Sequence, residues 1–410
     1  MELTYLVPLR RWDAPAEDHL GEYLRWLVGT AGVEVLVVDG SAPELFAAHH
    51  RAWGAGVRHV PVDDDLTGRY GKVNGVVTGL RAAGHERVVI ADDDVRWDLE
   101  GLADMFGLLA CADLVCPQNY FDPLPWHARW DSARTLVNRA GGIDFPGTLG
   151  VWRRVVLAAG GYDGDVLFEN LELIRTVQAV GGRAVSAPDL YVRRLPPSAR
   201  HFWSQRVRQA YDELATPLRL VAELALAPTA GLSLLRRRGR ALVLGAAAAG
   251  TAAEVGRRRA GGDAVFPPTC SLLAPVWLAE RAVCVWLALA LRVVRGGVPY
   301  AGTVLATPAN PTRRLRRRHR AAARVRPPVV STPAAPVESP LRAYHPAAGP
   351  QGPRDQAREG QDRRPQRGSP APGRVHPRLH QHPQEAELGL AQGGPGAPLQ
   401  RDGDHRLHPR

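Results

Sequence analysis

Two rhythms of apolar positions alternate through the first hundred residues. Residues 3–9 (Leu-Thr-Tyr-Leu-Val-Pro-Leu), 33–38 (Val-Glu-Val-Leu-Val-Val), 57–62 and 87–91 (Arg-Val-Val-Ile-Ala) are short apolar runs rich in β-branched side chains. Such runs predict strands. Within 16–31, Leu20, Leu24, Leu27 and Val28 repeat at helical spacing, and Val73, Val76, Val77 and Leu80 do the same within 72–84. Strand, helix, strand with nearly continuous apolar strands predicts an α/β domain with a parallel sheet covered on both faces. Ligands of such sheets bind beyond the carboxyl ends of the strands. Acidic residues stand at two of those ends, Asp39 after 33–38 and Asp92-Asp93-Asp94 after 87–91.

Farther along, the pattern predicts helices over 100–110, 126–140, 166–181 and 199–215, strands over 113–118 and 183–186, and a turn at Gly160-Gly161. Two apolar stretches follow, Ala241 to Ala253 and Leu272 to Val294. The second is long enough to span a bilayer, but Glu280-Arg281 lies inside it and Arg292 near its end. A charge pair in mid-span is costly in hydrocarbon unless it faces protein. The stretches therefore read as an appendage that lies on a membrane or re-enters it, with a true span and ordinary core helices of a soluble domain as the alternatives. The expected division is an α/β domain over 1–215, an apolar helical membrane-associated appendage over 216–311, and a basic, Pro/Arg-rich disordered tail over 312–410.

Charge sharpens that division. The chain of 410 residues has a formal net charge of +11, which alone would invite a nucleic-acid partner. Residues 312–410 hold 19 Arg against 8 acids, whereas 1–311 balance 33 basic with 33 acidic side chains. Eight of the tail's arginines fall between Arg313 and Arg326, directly after the appendage, where anionic lipid head groups suit them. From 327 onward the chain holds 16 of its 35 prolines and no Ile, Phe, Trp, Cys, Met, Lys or Asn. Such a segment cannot bury a core and is expected to be disordered; its composition resembles an out-of-frame reading of GC-rich coding sequence. The tail's single aromatic residue, Tyr344, argues against nucleic acid as its partner.

Cys111, Cys116, Cys270 and Cys284 form no CxxC pair and read as buried thiols of a reducing compartment. The N-terminus lacks the basic and long apolar regions of a secretory signal. A cytoplasmic domain is expected, peripheral on the inner face of the cell membrane.

Lys72 is the one lysine among 52 basic side chains, either a position that needs a compact ammonium or a chance survivor on the surface of an Arg-biased chain. Asp92 and Asp94, at i and i+2 of an extended segment, project to the same side. Two hard oxygen donors at a strand end suit Mg²⁺ or Mn²⁺ carrying a diphosphate. Asp63-Asp64-Asp65 reads as a solvated turn.

Five segments in order resemble the inverting family-2 glycosyltransferases of the GT-A fold, and most nearly their ceramide-glucosyltransferase-like branch. They are Val37-Val38-Asp39-Gly40-Ser41, Gly71-Lys72-Val73-Asn74-Gly75 through Gly79-Leu80, Ala91-Asp92-Asp93-Asp94-Val95, Gly160-Gly161-Tyr162-Asp163 with Phe168-Glu169-Asn170-Leu171-Glu172-Leu173, and Gln205-Arg206-Val207-Arg208-Gln209. The resemblance implies a Rossmann-like mixed, mainly parallel sheet and sugar transfer, with inversion, from a nucleotide-diphosphate-sugar to a hydroxyl acceptor; a lipid acceptor is suggested separately by the apolar stretches at 241–294 and the arginines that follow them. It places Asp39 at the nucleoside, Lys72, Asp92 and Gln205 near the donor, and Asp92 and Asp94 on the metal; Arg206 and Arg208, by their charge, are expected to neutralise the leaving diphosphate.

Two positions depart from the pattern. Asn170 stands where the family carries its catalytic Asp, and Gln209 where it carries a Trp. An amide cannot accept a proton at neutral pH, so Glu169 is the expected base and Glu172, one turn away, the second candidate. Trp126, His127, Trp130 and Asp131 are expected to line an acceptor pocket. The alternative that Asn170 motivates is a non-catalytic nucleotide-sugar-binding or scaffold protein of the same fold.

Overall fold

The computed structural model describes residues 1–13, 18–54, 56–142, 144–300 and 302–325. In chain order the first part contains β1 (Leu3–Leu9), α1 (His19–Trp26), β2 (Glu34–Asp39), α2 (Pro43–Trp53), β3 (Arg58–Pro61), α3 (Gly71–Ala82), β4 (Arg87–Ala91), β5 (Val95–Arg96) and α4 (Leu99–Leu108). Then come β6 (Leu114–Phe121), α5 (Trp126–Gly141), β7 (Thr148–Trp152), α6 (Arg153–Ala158), α7 (Glu169–Ala179), β8 (Ala184–Arg194) and α8 (Ala199–Tyr211). These strands make one eight-stranded sheet in the order β3-β2-β1-β4-β7-β6-β8-β5. The run β3-β2-β1-β4 is parallel throughout, β6 and β8 pair in parallel, and β7 and β5 enter antiparallel. The expected mainly parallel sheet is present, with two antiparallel insertions that apolar spacing did not announce.

Strand alternation sorts the core onto two faces. Leu3, Tyr5, Val7 and Leu9 of β1 point with Val35, Val37 and Val89 toward Leu20 and Leu24 of α1, Trp53 of α2 and Met105 of α4. Leu6, Leu36, Val38, Val88 and Ile90 point the other way, toward Val76 and Leu80 of α3, Val156 of α6 and Leu173, Ile174 and Val177 of α7. Each fully buried Leu or Val contributes about 1.5–3 kcal/mol. This two-sided cover is why β1, β2 and β4 read as continuous apolar runs.

The remaining elements are α9 (Pro217–Leu224), α10 (Leu226–Leu235), α11 (Gly239–Arg258), α12 (Pro268–Leu272), α13 (Ala274–Arg295), β9 (Val298–Tyr300), β10 (Thr303–Leu305) and α14 (Thr312–Val325). Ala133, Leu136, Ala253, Phe266, Cys270 and Trp277 form a core that joins α11 to α13 with α5. Arg139 of α5 is fully buried there. It donates to the carbonyls of Gly256, Pro188 and Arg259, to Gln118 Oε1 and to Tyr191 Oη, at 2.6–3.1 Å.

The charge pair inside α13 is turned toward protein. Glu280 Oε2 accepts from Trp130 Nε1 at 2.9 Å and lies 3.6 Å from Arg206, while buried Arg281 is 3.8 Å from Glu223. Two helical stretches, Pro217–Leu235 and Ala274–Arg295, are long and apolar enough to cross a membrane. The first of them was not singled out by the sequence pattern.

Contacts cross the expected boundaries at 215 and 311. Leu167 and Phe168 donate backbone hydrogen bonds to the carbonyls of Thr307 and Pro308. Residues 312–325 were expected to begin a disordered tail but form α14, which seats Leu315 in the interior and pairs Arg318 with Asp163 at 2.9 Å. The chain divides into two units, Met1–Thr332 and Pro333–Arg410. The expected disorder over 326–410 lies outside the described residues.

Three of the four cysteines are buried as expected, but Cys111 is exposed, and all four are free thiols.

Candidate active site

A cleft of about 310 Å³ opens beyond the carboxyl ends of β4 and β8. Lys72, Asp92, Asp94, Asp131, Glu169, Gln205, Arg206 and Arg208 all line it. The fold gathers them from distant positions: Lys72 from the first turn of α3, Asp92 and Asp94 from the loop after β4, Glu169 from the start of α7, and the last three from α8. Gly160 and Gly161, at φ +82° and +83°, make the left-handed turn that leads the chain toward α7, a conformation other residues adopt only with strain.

Charge pairing organises the floor. Lys72 Nζ lies 2.5 Å from Asp92 Oδ1 and 2.7 Å from Glu169 Oε1. Burial opposes the ammonium's charge, but Asp92 and Glu169 outweigh it, so Lys72 stays protonated well above the usual range. Arg194, the last residue of β8, donates through Nε to both oxygens of Asp94 at 2.9 and 2.8 Å, and through Nη2 to Asp92 Oδ2 at 3.2 Å. A Cβ on Gly147 would fall 2.6 Å from Asp92 Oδ2 and 2.9 Å from Arg194 Nη1; only glycine leaves room for this pairing. Burial raises the Asp92 carboxyl, yet Lys72 and Arg194 bring it below its ordinary value.

On the opposite wall Gln205 Oε1 accepts from Arg208 Nη1 at 3.0 Å, and Arg208 Nη2 reaches Tyr70 Oη at 2.6 Å. The first and fourth residues of the Gln-x-x-Arg segment thus form one unit. Tyr70 is braced by stacking on Tyr300, with ring centroids 4.5 Å apart.

Other candidates stand apart or are already engaged. Asp39 lies outside the cleft, buried between His49 and His59, whose Nδ1 and Nε2 approach its Oδ2 at 2.7 and 3.2 Å. Burial would raise its carboxyl, but hydrogen bonds from His59, Ser41 and His49 hold it well below the usual range. In this state its side chain ties β2 to α2 and β3 rather than facing the cleft.

Glu172 is fully buried away from the cleft. Both its oxygens accept from Asn310, the backbone N at 2.6 Å and Nδ2 at 2.9 Å. It therefore cannot reach a substrate hydroxyl, which removes it as second candidate base. Asn170 donates through Nδ2 to the Pro146 carbonyl at 2.8 Å, a bond that a carboxylate could not make.

Arg206 borders the cleft but is engaged internally through Nη2 with Asp131 at 3.1 Å and Nε with the Phe202 carbonyl at 3.2 Å, while its Nη1 lies 3.6 Å from Glu280 without a hydrogen bond. Asp131 is clasped by Arg134 and Arg206. Burial raises its carboxyl, yet the two guanidinium groups bring it down to about 2. Trp126, His127 and Trp130 do not line the cleft. They pack against Phe202, and both tryptophans also pack against Trp203; His127 Nε2 donates to the Pro197 carbonyl at 2.7 Å. A larger recess of about 540 Å³, lined by Tyr23, Trp26, Trp97 and Tyr120 among others, contains none of the candidate residues.

Sequence reasoning missed Arg194, Tyr70 and Asp212, all of which line the cleft. The signal for Arg194 lay in Leu190-Tyr191-Val192-Arg193-Arg194, whose alternation extends the strand expected over 183–186. No local pattern marked Tyr70 or Asp212.

A divalent ion would find two hard carboxylate donors here, Asp92 and Asp94, already holding cationic groups. Among the described residues no cluster of three or more ligating side chains exists, so an ion would draw its other ligands from phosphate and water, as Mg²⁺ commonly does. The donor set fits, provided the guanidinium of Arg194 yields its place.

No family model and no curated protein matches the chain. Among solved structures it is similar to the mannosyltransferase PcManGT from Pyrobaculum calidifontis in complex with GDP-Man and Mn²⁺, at 21% identity over 70% of this chain and 87% of that one, with a TM-score of 0.41. It is also similar to glucosyl-3-phosphoglycerate synthase from Mycobacterium tuberculosis with Mn²⁺, UDP and phosphoglyceric acid, at 18% identity, 49% and 73% coverage and a TM-score of 0.34. The corresponding values for S. aureus TarS are 16%, 52% and 40%, and 0.34.

Proposed function

We propose that the chain transfers a sugar, with inversion, from a nucleotide-diphosphate-sugar to a hydroxyl acceptor. One observation carries this reading. Lys72, Asp92, Asp94, Glu169, Arg194 and Arg208 converge on a single cleft at the carboxyl end of a largely parallel sheet, where such sheets bind ligands.

Asp92 and Asp94 would hold Mg²⁺ or Mn²⁺, and the bound ion would supply positive charge against the departing diphosphate. Lys72, with its compact ammonium, and Arg208, aimed by Gln205 and Tyr70, add fixed positive charge on two sides of the same space. Arg194, released from Asp94, becomes a further donor toward phosphate oxygens. Glu169 sits at the mouth of α7 but is bound to Lys72 through Oε1.

We further propose a lipid acceptor and a place on the cytoplasmic face of the cell membrane. Leu218 is 91% exposed, Leu235 84% and Val294 81%, an apolar surface of the kind that marks membrane contact. Arg236, Arg237 and Arg238 follow α10 directly, and exposed arginines line α14, which suits anionic head groups.

Asn170 supports one other reading, donor binding without transfer. Thermal shift against a panel of nucleotide-diphosphate sugars with Mn²⁺, followed by product analysis, separates the two. Transfer predicts stabilisation and released nucleoside diphosphate; binding alone predicts stabilisation only; no stabilisation by any donor contradicts both.

A further inference from the structure

Five carboxyl side chains line the cleft, namely Asp92, Asp94, Asp131, Glu169 and Asp212. Four are held by cations: Asp92 and Glu169 by Lys72, Asp94 by Arg194, Asp131 by Arg134 and Arg206. Asp212 differs. It opens the short 3₁₀ turn after α8, and its Oδ1 is shielded from bulk water without any hydrogen-bond partner. A buried polar atom left unpaired costs about 1–3 kcal/mol, so a group that supplies it with a hydrogen bond is favoured at that spot.

We infer that Asp212 is the general base of this active site, taking the place left empty by Asn170. The inference rests on the transfer reading above. Asn170 carries an amide, whose oxygen is not basic, and its Nδ2 is fastened to Pro146, Glu172 is locked under Asn310, and Glu169 is neutralised by Lys72. An acceptor hydroxyl entering the cleft donates its hydrogen bond to the Asp212 carboxylate. Its O–H bond then breaks with the proton passing to that carboxylate, and the oxygen lone pair forms the new bond to the anomeric carbon. The bond from that carbon to the diphosphate breaks, and its electron pair leaves with the nucleoside diphosphate.

The electrostatic setting suits the role. Burial drives the Asp212 carboxyl up to about 7, Glu169 and Glu213 push the same way, and Arg208 and Arg281 oppose them. A base poised near the working pH combines a useful ionised fraction with the strength to take a proton. Arg208, which holds the Tyr70 hydroxyl, links the base electrostatically to the wall where the diphosphate is proposed to sit.

The test compares wild type, D212N, D212A and E169Q with UDP-glucose and GDP-mannose as probes and Mn²⁺ present, following donor consumption against pH and donor binding by calorimetry. The expected result is a wild-type rate that rises through about pH 7, a loss of about 100-fold or more in D212N with that limb gone, and donor affinity unchanged within about twofold. E169Q keeps the limb, and formate partly restores the D212A variant, which a merely structural role would not explain. D212N turning over at the wild-type rate with the same limb overturns the inference while leaving transfer intact. If wild type consumes neither probe, the infrared carboxyl difference between wild type and D212N decides: a group titrating near 7 supports the poised base, and its absence overturns it. Failure of the transfer reading shows separately, as absence of donor binding.

Discussion

Arg194 Nε approaches the two carboxylate oxygens of Asp94 at 2.9 and 2.8 Å, and its Nη2 also reaches Asp92. A guanidinium thus occupies the ground between the two aspartates that a divalent ion would need. Arg194 and metal are competitors for one pair of carboxylates, and the Arg194→Met variant should bind Mn²⁺ more tightly in the absence of nucleotide. Hydrogen bonds to charged groups are worth about 1.5–3 kcal/mol, so tightening of about tenfold or more is expected by electron paramagnetic resonance titration. Unchanged affinity would show that Arg194 and metal do not compete.

Asp131 gives a prediction with a definite sign. Its carboxyl is brought from an ordinary value of 3.8 down to about 2 by Arg134 and Arg206, against the effect of burial. A depressed folded-state value means stability present above about pH 4 and lost as pH falls toward 2. The loss amounts to about 2 kcal/mol. Urea unfolding of wild type against Asp131→Asn should show that difference shrinking between pH 4 and 2; a constant difference would deny the ion pairs their role.

For Asp212 the sign is opposite. A carboxyl raised in the folded state to about 7 keeps its proton in the fold over a range where the unfolded chain has lost it. Stability then falls as pH rises from about 4 to 7 and levels off above. Asp212→Asn removes that slope, so its stability relative to wild type should climb across this interval. A flat difference would place the ordinary carboxyl value at this site.

Arg139 joins α5, β8 and α11 through five hydrogen bonds, three of them to backbone carbonyls. Arg139→Ala leaves these acceptors buried and unpaired and opens a cavity, at a cost of about 3 kcal/mol or more. Chemical denaturation should show a drop of that size. A change under about 1 kcal/mol would mean that water replaces the guanidinium freely.

The parallel half of the sheet was legible because β1, β2 and β4 are covered on both faces and carry few polar residues. β7 escaped notice because Thr148-Leu149-Gly150-Val151-Trp152 is short and broken by a glycine. β8 was foreshortened because Pro188 and Asp189 interrupt its apolar pattern. In the cleft, Lys72, Asp92, Glu169 and Arg208 were legible through their motifs. Glu172 and Arg206 share those motifs, yet tertiary partners, Asn310 and Asp131, engage them in internal bonds. Asp39 was placed at the right strand end, but the histidines that engage it come from α2 and β3, where no spacing rule points to them. Asp212 and Arg194 matter through what lies opposite them in space, and a linear pattern does not carry that information.

The central claim is that the acidic pair and its lysine form a site for a metal-bound nucleotide diphosphate. Calorimetric titration of wild type, Asp94→Asn and Lys72→Met with UDP and GDP, with and without Mn²⁺, tests it most directly. The account predicts binding that strengthens at least about tenfold with Mn²⁺ in wild type, loses that Mn²⁺ dependence in Asp94→Asn, and weakens in Lys72→Met. Nucleotide binding that is indifferent to Mn²⁺ and to both substitutions would contradict it.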